Sequence, residues 1–325
     1  MNKSYGKYIL KRIFISILVI FIISVFVFSL MHLIPGDPVK IMLGGESDEA
    51  VLQAYREKLH LTEPLPVQYW LWLTSALKGD FGTSYALNGQ DIGTLLLQRF
   101  PVTLSLAVPC ILISTILGVL IGVVCAVHRG SAADQVLTVL LTAMNGVPIF
   151  WIGIVFIWIF GLQLKWFPVM GYVSPSDNFP EFLRSIAMPV TIMCFGPLSA
   201  IARQTRTNML EVINQDYIRT ARANGIKDSS IKYRHALKNA LIPIATIVGI
   251  QFRWAVGGSL FIEQIFAING IGRTVMLAIT GRDYTMIQAC TFIVSVFVVA
   301  VNLLLDILYG WLDPRIRLAG REGEK

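Results

Sequence analysis

The chain has 325 residues, of which 55% are hydrophobic and 14% charged, and its mean hydropathy is +0.65. A soluble chain of this size carries about a quarter charged residues, so the composition excludes a purely water-soluble enzyme, a disordered protein and a disulfide-stapled secreted domain. The net charge of +7 does not call for nucleic acid, because the basic residues fall in short blocks between apolar runs.

Six stretches are apolar and long enough to cross a bilayer, which takes about 20 residues. They are Ile13–Ile34, Val102–Val127, Val136–Leu164, Ile186–Ala202, Ala240–Ile262 and Met286–Leu312. The first four hold no charged residue, the fifth holds Arg253 and the sixth Asp306. Lipid offers no partner for backbone polar groups, so the spans are predicted to be helices and the chain an all-α polytopic membrane protein. The fourth is short and carries Pro189, Gly196 and Pro197, which predict a kink. The first is longer than a signal-peptide core and lacks a small-x-small cleavage site, so it reads as a retained anchor.

Lys and Arg set the orientation. With the N-terminus in the cytoplasm, seventeen of the 27 lie on the cytoplasmic side and nine outside, and Arg253 lies within a span. That bias predicts six spans with both ends inside, the cationic flanks meeting the anionic inner leaflet of the bilayer. Four parts follow. Residues 1–34 form a cytoplasmic segment and the first span, and 35–101 an external loop or cap. Residues 102–312 form a five-helix core with a cytoplasmic loop at 203–239, and 313–325 a cytoplasmic tail. The external loop contains Trp70, Trp72 and Phe81-Gly82, and its acids outnumber its bases eight to five.

No phosphate-binding Gly-rich loop, H-E-x-x-H or G-x-S-x-G is present. The four histidines are isolated, and Cys110, Cys125, Cys194 and Cys290 sit singly in apolar stretches as small core hydrophobes. No catalytic, metal or cofactor residues are assigned. If the chain moves a solute, an ion gradient or another protein provides the energy.

The internal stretch from Arg203 to Asn239 is the most informative. A helix over Asn214–Asn224 is predicted to stop at Gly225, because glycine accepts the left-handed conformation at low cost. Asp228, Ser229 and Ser230 offer N-caps for a second helix that runs into the fifth span at Leu241-Ile242-Pro243. Tyr217, Ala221 and Asn224 share one side of the first helix, and Arg219 and Arg222 are about one turn apart. Small residues around one aromatic suit docking into a groove of another protein. A basic amphipathic helix lying on lipid headgroups is the other reading, and the glycine corner does not separate the two.

The run Gln215-Asp216-Tyr217-Ile218-Arg219-Thr220-Ala221-Arg222-Ala223-Asn224-Gly225 resembles the cytoplasmic "EAA" loop of ABC importer permeases, in the version of the dipeptide, oligopeptide, glutathione and nickel family. Other pieces resemble the same family in order along nearly the whole chain. They are His32-Leu33-Ile34-Pro35-Gly36-Asp37-Pro38, Gly79-Asp80-Phe81-Gly82-Thr83-Ser84, Pro148-Ile149-Phe150-Trp151, His235-Ala236-Leu237-Lys238-Asn239-Ala240, Gly270-Ile271-Gly272-Arg273, Arg282-Asp283-Tyr284 and Asp313-Pro314-Arg315-Ile316-Arg317. The PGDP start with a long first external loop resembles the first of two paired permeases. The sequence departs from the family at Asn224, where Lys is common, at Ala267-Ile268-Asn269, where a Pro commonly precedes the Gly, and at Arg253-Trp254, where small residues are expected.

The resemblance implies the type I importer permease architecture in a bacterial cytoplasmic membrane. It also implies a heteromeric assembly: an external solute-binding protein, a second permease, and two cytoplasmic ABC ATPases that bind the ATP and Mg, leaving this chain without a cofactor. Peptides are the implied cargo, with nickel, a metallophore or glutathione as the alternative in the same class. Asp216–Ser230 is then the coupling surface. Gly225 sets the bend, Tyr217 and Ala221 fill the ATPase groove, and Arg219 and Arg222 pair with acids on the ATPase.

Arg253 is a charge in mid-span, and such a residue faces a cavity or a partner. It is either a cationic contact for a peptide carboxylate in the translocation path or half of a structural salt bridge, with Asp306 one possible partner. Asp306 itself, near the inner end of its span, reads as a helix-packing residue. Asn145, Gly146 and Pro148 break the third span, as a pathway-lining break or a simple proline kink. A secondary transporter would need membrane carboxylates for ion coupling, and only Asp306 qualifies.

Overall fold

The structure is a computed structural model that describes residues 3–33, 39–40, 48–58 and 60–312. The motifs at 34–38 and 313–317 and the tail 313–325 lie outside the described residues, as does the His235 side chain. Among the described residues the fold is helical apart from one two-stranded antiparallel ribbon. In chain order the elements are α1 (Lys3–Leu33), α2 (Glu49–Lys58), α3 (Leu65–Leu77), β1 (Thr83–Ser84), β2 (Gln90–Asp91), α4 (Ile92–Val127), α5 (Ala132–Gly146) and α6 (Ile149–Phe156). A π-helical stretch, π1 (Ile157–Gln163), follows, then α7 (Phe179–Ile213), α8 (Asp216–Ala223), α9 (Asp228–Ser230), a second π stretch, π2 (Ile231–Ala236), α10 (Leu237–Ile265), α11 (Ile271–Thr280) and α12 (Tyr284–Leu312).

Among the described residues five helices, α1, α4, α7, α10 and α12, are long and apolar enough to cross a membrane, and α5 with α6–π1 forms a sixth candidate bent by 99°. The six predicted spans fall on these elements. The bend has a local cause. Val147 precedes a proline and is therefore biased away from the helical region, and Pro148 has no N–H to give the helix. Both are extended, with ψ of 133° and 131°. The fourth span differs from its expected extent. Residues 186–202 are the apolar middle of a 35-residue helix that runs through Pro189 and Pro197. The apolar run ends at Arg203, but charge does not end a helix, and α7 continues as a polar rod to Ile213.

The chain packs as two compact units. One comprises residues 1–102 and 269–304. Its core gathers Val27, Ala76, Phe81, Ile92, Met286 and Phe292, with Trp72 packed against them. Two motifs distant in sequence close on each other here. The Asp283 carboxylate is fully buried and accepts hydrogen bonds from Ser84 Oγ at 2.5 Å, the Ala86 N–H at 3.2 Å and the Met286 N–H at 3.0 Å. The Tyr284 N–H donates to Tyr85 Oη at 3.0 Å, and burial pushes the Tyr85 hydroxyl up to about 12.

The second unit comprises residues 103–268 and 305–325. Within it α4 lies tightly on α7. A Cβ added at Gly122 would sit 2.5 Å from both Ala202 O and Thr205 Cβ, and one at Gly118 would sit 2.9 Å from Ile201 Cγ2. This G-x-x-x-G spacing lets two helix backbones approach where lipid supplies no hydrophobic drive. Glu263 is buried on α10 and accepts from Thr103 Oγ1 at 2.7 Å and Ser259 Oγ at 2.9 Å. The four cysteines are buried free thiols.

Candidate functional site

Two features of the second unit stand out: a bent connector after α7 and an open cavity among α5, α6, α7 and α10. The connector begins where α7 ends at Ile213. Gln215 adopts an extended N-cap conformation and α8 runs from Asp216 to Ala223, two residues shorter at its start and one at its end than predicted. The stop is a helix-ending glycine motif. The Gly225 N–H donates to Arg222 O at 3.1 Å, the Ile226 N–H donates to Ala221 O at 3.2 Å, and Gly225 has φ +76°. A Cβ there would meet nothing within 4 Å, so glycine is needed for its backbone conformation and not for space.

The second helix starts with Lys227 in the N-cap position and no side-chain cap. The expected caps are therefore corrected. Asp228, Ser229 and Ser230 form the first turn, where an acid favours the positive helix end, and Asp228 works through ion pairs. Lys232 Nζ lies 2.6 Å from its Oδ2, and Arg222 Nη2 lies 3.4 Å from its Oδ1. The hydrogen bond to Lys232 foremost, with Arg222 adding to it, holds the Asp228 carboxyl below the usual carboxylate range. Helix α9 runs through π2 into α10 without a break, as the sequence predicts.

The corner is fastened to the helices above it. Ile218 is fully buried in a cluster with Val123 and Ala126 of α4, Met209 of α7, Ile231 and Ala236 of π2, and Ala240 of α10. Ala221 packs against the same cluster, so it turns toward the chain's own core. Tyr217 is about half exposed, and its hydroxyl accepts a hydrogen bond from Asn239 Nδ2 at 2.8 Å. Arg219 lies 3.5 Å from Asp216 on the same exposed helix face, while Arg222 reaches across the corner to Asp228. The outward surface thus carries Asp216, Tyr217, Arg219 and Arg222, with Gly225 at the bend and Ile226 and Tyr233 beyond it.

The cavity has a volume of about 410 Å³. The bend contributes Asn145 and Ile149, α7 contributes Gly196, Pro197 and Arg203, and α10 contributes Gln251, Trp254 and Gly258. Asn145, one of the two residues expected along the pathway, lines this cavity. Arg253 does not line this cavity; its helical neighbours Gln251 and Trp254 do. The sequence marks Trp254 only as a departure beside Arg253 and Arg203 only as the start of the cytoplasmic loop, and it offers no expectation for Gln251. Gln251, Trp254, Ala255 and Gly258 recur at spacings of one helical turn, which is the signal that places them on one face.

Known proteins resemble the chain along its length. Residues 118–318 match the family model described as "Binding-protein-dependent transport system inner membrane component", and residues 6–107 match the corresponding N-terminal model. The probable peptide ABC transporter permease protein y4tP of Sinorhizobium fredii is 39% identical over 312 residues, covering 96% of this chain and 99% of its own. The oligopeptide transport system permease protein AppB of Bacillus subtilis is 37% identical over 317 residues, covering 96% and 99%. An inward-facing structure of the MetNI methionine ABC transporter superposes on 67% of this chain and 96% of its own with a TM-score of 0.56 at 17% identity, a likeness of fold.

Proposed function

This chain belongs to the family of binding-protein-dependent transport system inner membrane components, and from that premise we propose that it forms half of the translocation path of a peptide importer and is worked through its α8–Gly225–α9 corner. As a permease of this family it operates with cytoplasmic ABC ATPases and an external binding protein. A second permease closes the open face of the cavity, and the peptide backbone passes Asn145 and Gln251, whose amides both donate and accept hydrogen bonds.

The observation that carries the coupling reading is the burial of Ile218. One short exposed helix is anchored through the fully buried Ile218, with Ala221 beside it, into a cluster that joins α4, α7 and the start of α10. A push on the outward face of α8 therefore reaches α7 and α10, which both line the cavity. Packed interiors transmit displacement because they are close to incompressible. Arg219 and Arg222 remain exposed enough to exchange their internal partners for acids on an ATPase.

The experiment places a photo-reactive amino acid at Tyr217 or Thr220 in the importer co-expressed with its ATPases. Capture of an ATPase at these positions, and none from Leu71 in the first unit, is the expected result. Purified chain that accumulates a labelled tripeptide without an ATPase, or probes at both positions that capture no ATPase, overturns the proposal.

A further inference from the structure

Helix α3 belongs to the stretch that the sequence assigns to the external side, yet it packs against side chains within the apolar helices α1 and α12. Tyr69 Oη is 2.8 Å from Ser24 Oγ of α1, and the Tyr69 ring meets Phe28 edge-on at 5.5 Å. Ser24 is nine residues before Leu33, the end of α1, which at 1.5 Å per residue is about 14 Å along the helix. Trp72 meets Phe28 at 6.0 Å and Phe292 of α12 at 5.4 Å. Phe292 is itself eight residues inside α12, or about 12 Å. The hydrocarbon core is about 30 Å thick; with the outer helix ends at its boundary, Ser24 reaches about mid-bilayer, and Trp72's partners Phe28, five residues before Leu33, and Phe292 lie about 8 Å and about 12 Å inside the same leaflet.

The opposite face of α3 has the chemistry such a depth requires. The helix contains no charged residue. Val67, Trp70, Leu71 and Leu77 follow helical spacing and are exposed, Trp70 at 64% and Leu77 at 74%. Thr74 interrupts this stripe, but its hydroxyl donates back to the Trp70 and Leu71 carbonyls, 2.9 Å from each, so it offers lipid no unpaired donor. Charges bracket the helix at Glu63 and Lys78. Thirteen residues extend only about 20 Å, too short to cross.

We propose that α3 is a lipid-embedded helix, dipping into the leaflet that meets the outer end of α1, with Val67, Trp70, Leu71 and Leu77 against acyl chains. The helix adjoins the exposed apolar surface of α1 through Tyr69, which meets Phe21 edge-on at 6.4 Å, and Phe21, Val25, Phe26 and Leu30 of α1 are likewise uncovered. That adjacency favours lipid over the external binding protein, which stays in water, and over the second permease, which has the open cavity face to cover. In this arrangement α3 wedges the outer ends of α1 and α12 together at the bilayer rather than capping them from above.

The test uses the full chain in lipid nanodiscs. A nitroxide is attached at Trp70→Cys or Leu77→Cys; the four native cysteines are buried, and the unsubstituted chain reports any background labelling. Frequent collision with O2 and little with a water-soluble nickel chelate is expected at both positions, and the reverse at Glu63→Cys. High nickel accessibility at 70 and 77 overturns the proposal in favour of a water-facing cap. Low accessibility to both reagents overturns it in favour of a protein partner. A second readout needs no label: brominated acyl chains quench the tryptophan emission that is lost in Trp70→Phe, and an unquenched Trp70 contribution also overturns the proposal.

Discussion

Asp134 and Arg206 form a two-pronged ion pair, with Nε and Nη2 of the guanidinium each 2.8 Å from a different carboxylate oxygen. Asp134 is almost wholly buried and also accepts from the Gly130 N–H at 3.0 Å, while Arg206 remains about one-third exposed. The pair ties the start of α5 to the lower part of α7, two turns before the connector. Hydrogen bonds to charged groups contribute about 1.5–3 kcal/mol each when buried, and the exposure of Arg206 favours the low end. Asp134→Ala is expected to cost about 1.5–2 kcal/mol and lower the thermal midpoint in detergent. Arg206→Lys keeps the charge but loses the paired geometry, so its midpoint should fall between those of Asp134→Ala and the unsubstituted chain. Equal midpoints for all three would mean that the pair is solvated.

The contact of α4 with α7 makes a sharper contrast between two glycines. At Gly122 an added Cβ would overlap the backbone oxygen of Ala202 at 2.5 Å, whereas at Gly146 it would meet nothing within 4 Å. Neither has positive φ, so space alone separates them. Gly122→Ala is expected to part the two helices and reduce the yield of folded chain. Gly146→Ala should leave the yield unchanged or raise it slightly, since alanine is favoured in helices by about 0.5–1 kcal/mol. Size-exclusion yield of the two variants checks this.

Hydropathy reveals the spans because each buries its own backbone bonds, and that requirement is local. It locates α1, α4, α10 and α12, and the Val147-Pro148 step marks the bend. It stops short on α7, where Arg203 ends the apolar run but not the helix. It misses α3 altogether, since thirteen residues fill no 20-residue window and the depth of α3 comes from Ser24, Phe28 and Phe292, which are far away in sequence. The glycine corner is legible because Gly225 is a local requirement. The inward turn of Ala221 is not, because it depends on where Ile218 finds its cluster. Arg253 attracts notice as a mid-span charge, but which helix face meets the cavity is settled by packing against α7, and that face carries Gln251 and Trp254.

Asp228 gives the corner a pH dependence. Its carboxyl is held below the ordinary value near 4, first by Lys232 and then by Arg222. A depressed carboxylate stabilises the folded corner above its unfolded value and loses that contribution as pH falls through the folded value. The bracing of Arg222 and Lys232 should therefore hold at neutral pH and loosen only below about pH 4. In Lys232→Met the loosening should begin at higher pH. All three side chains are partly exposed, so added salt weakens the brace in the unsubstituted chain. Hydrogen exchange of the Ile226–Ser230 amides against pH reads both effects, and a profile unchanged by Lys232→Met would show that the pair is not made in solution.

Gly225 separates backbone conformation from bulk. At φ +76° with open space around its α-carbon, a side chain is opposed only by the left-handed conformation, at about 1–2 kcal/mol for an ordinary residue. Asparagine tolerates that region better and ends helices in the same way. β-Branched valine tolerates it least. The order of transport activity should be Gly, then Asn, then Ala, then Val, with membrane insertion equal in all four. If α8 is the grip of the ATPase, Gly225→Val should leave nucleotide hydrolysis running without response to loaded binding protein, because the motor turns while the corner no longer holds α8 in register. Transport in Gly225→Val equal to the unsubstituted importer would place the force-bearing contact elsewhere. A loss that tracks side-chain volume, with Asn worse than Ala, would mean that the ATPase covers the space above Gly225 and that crowding rather than the bend is what the corner supplies.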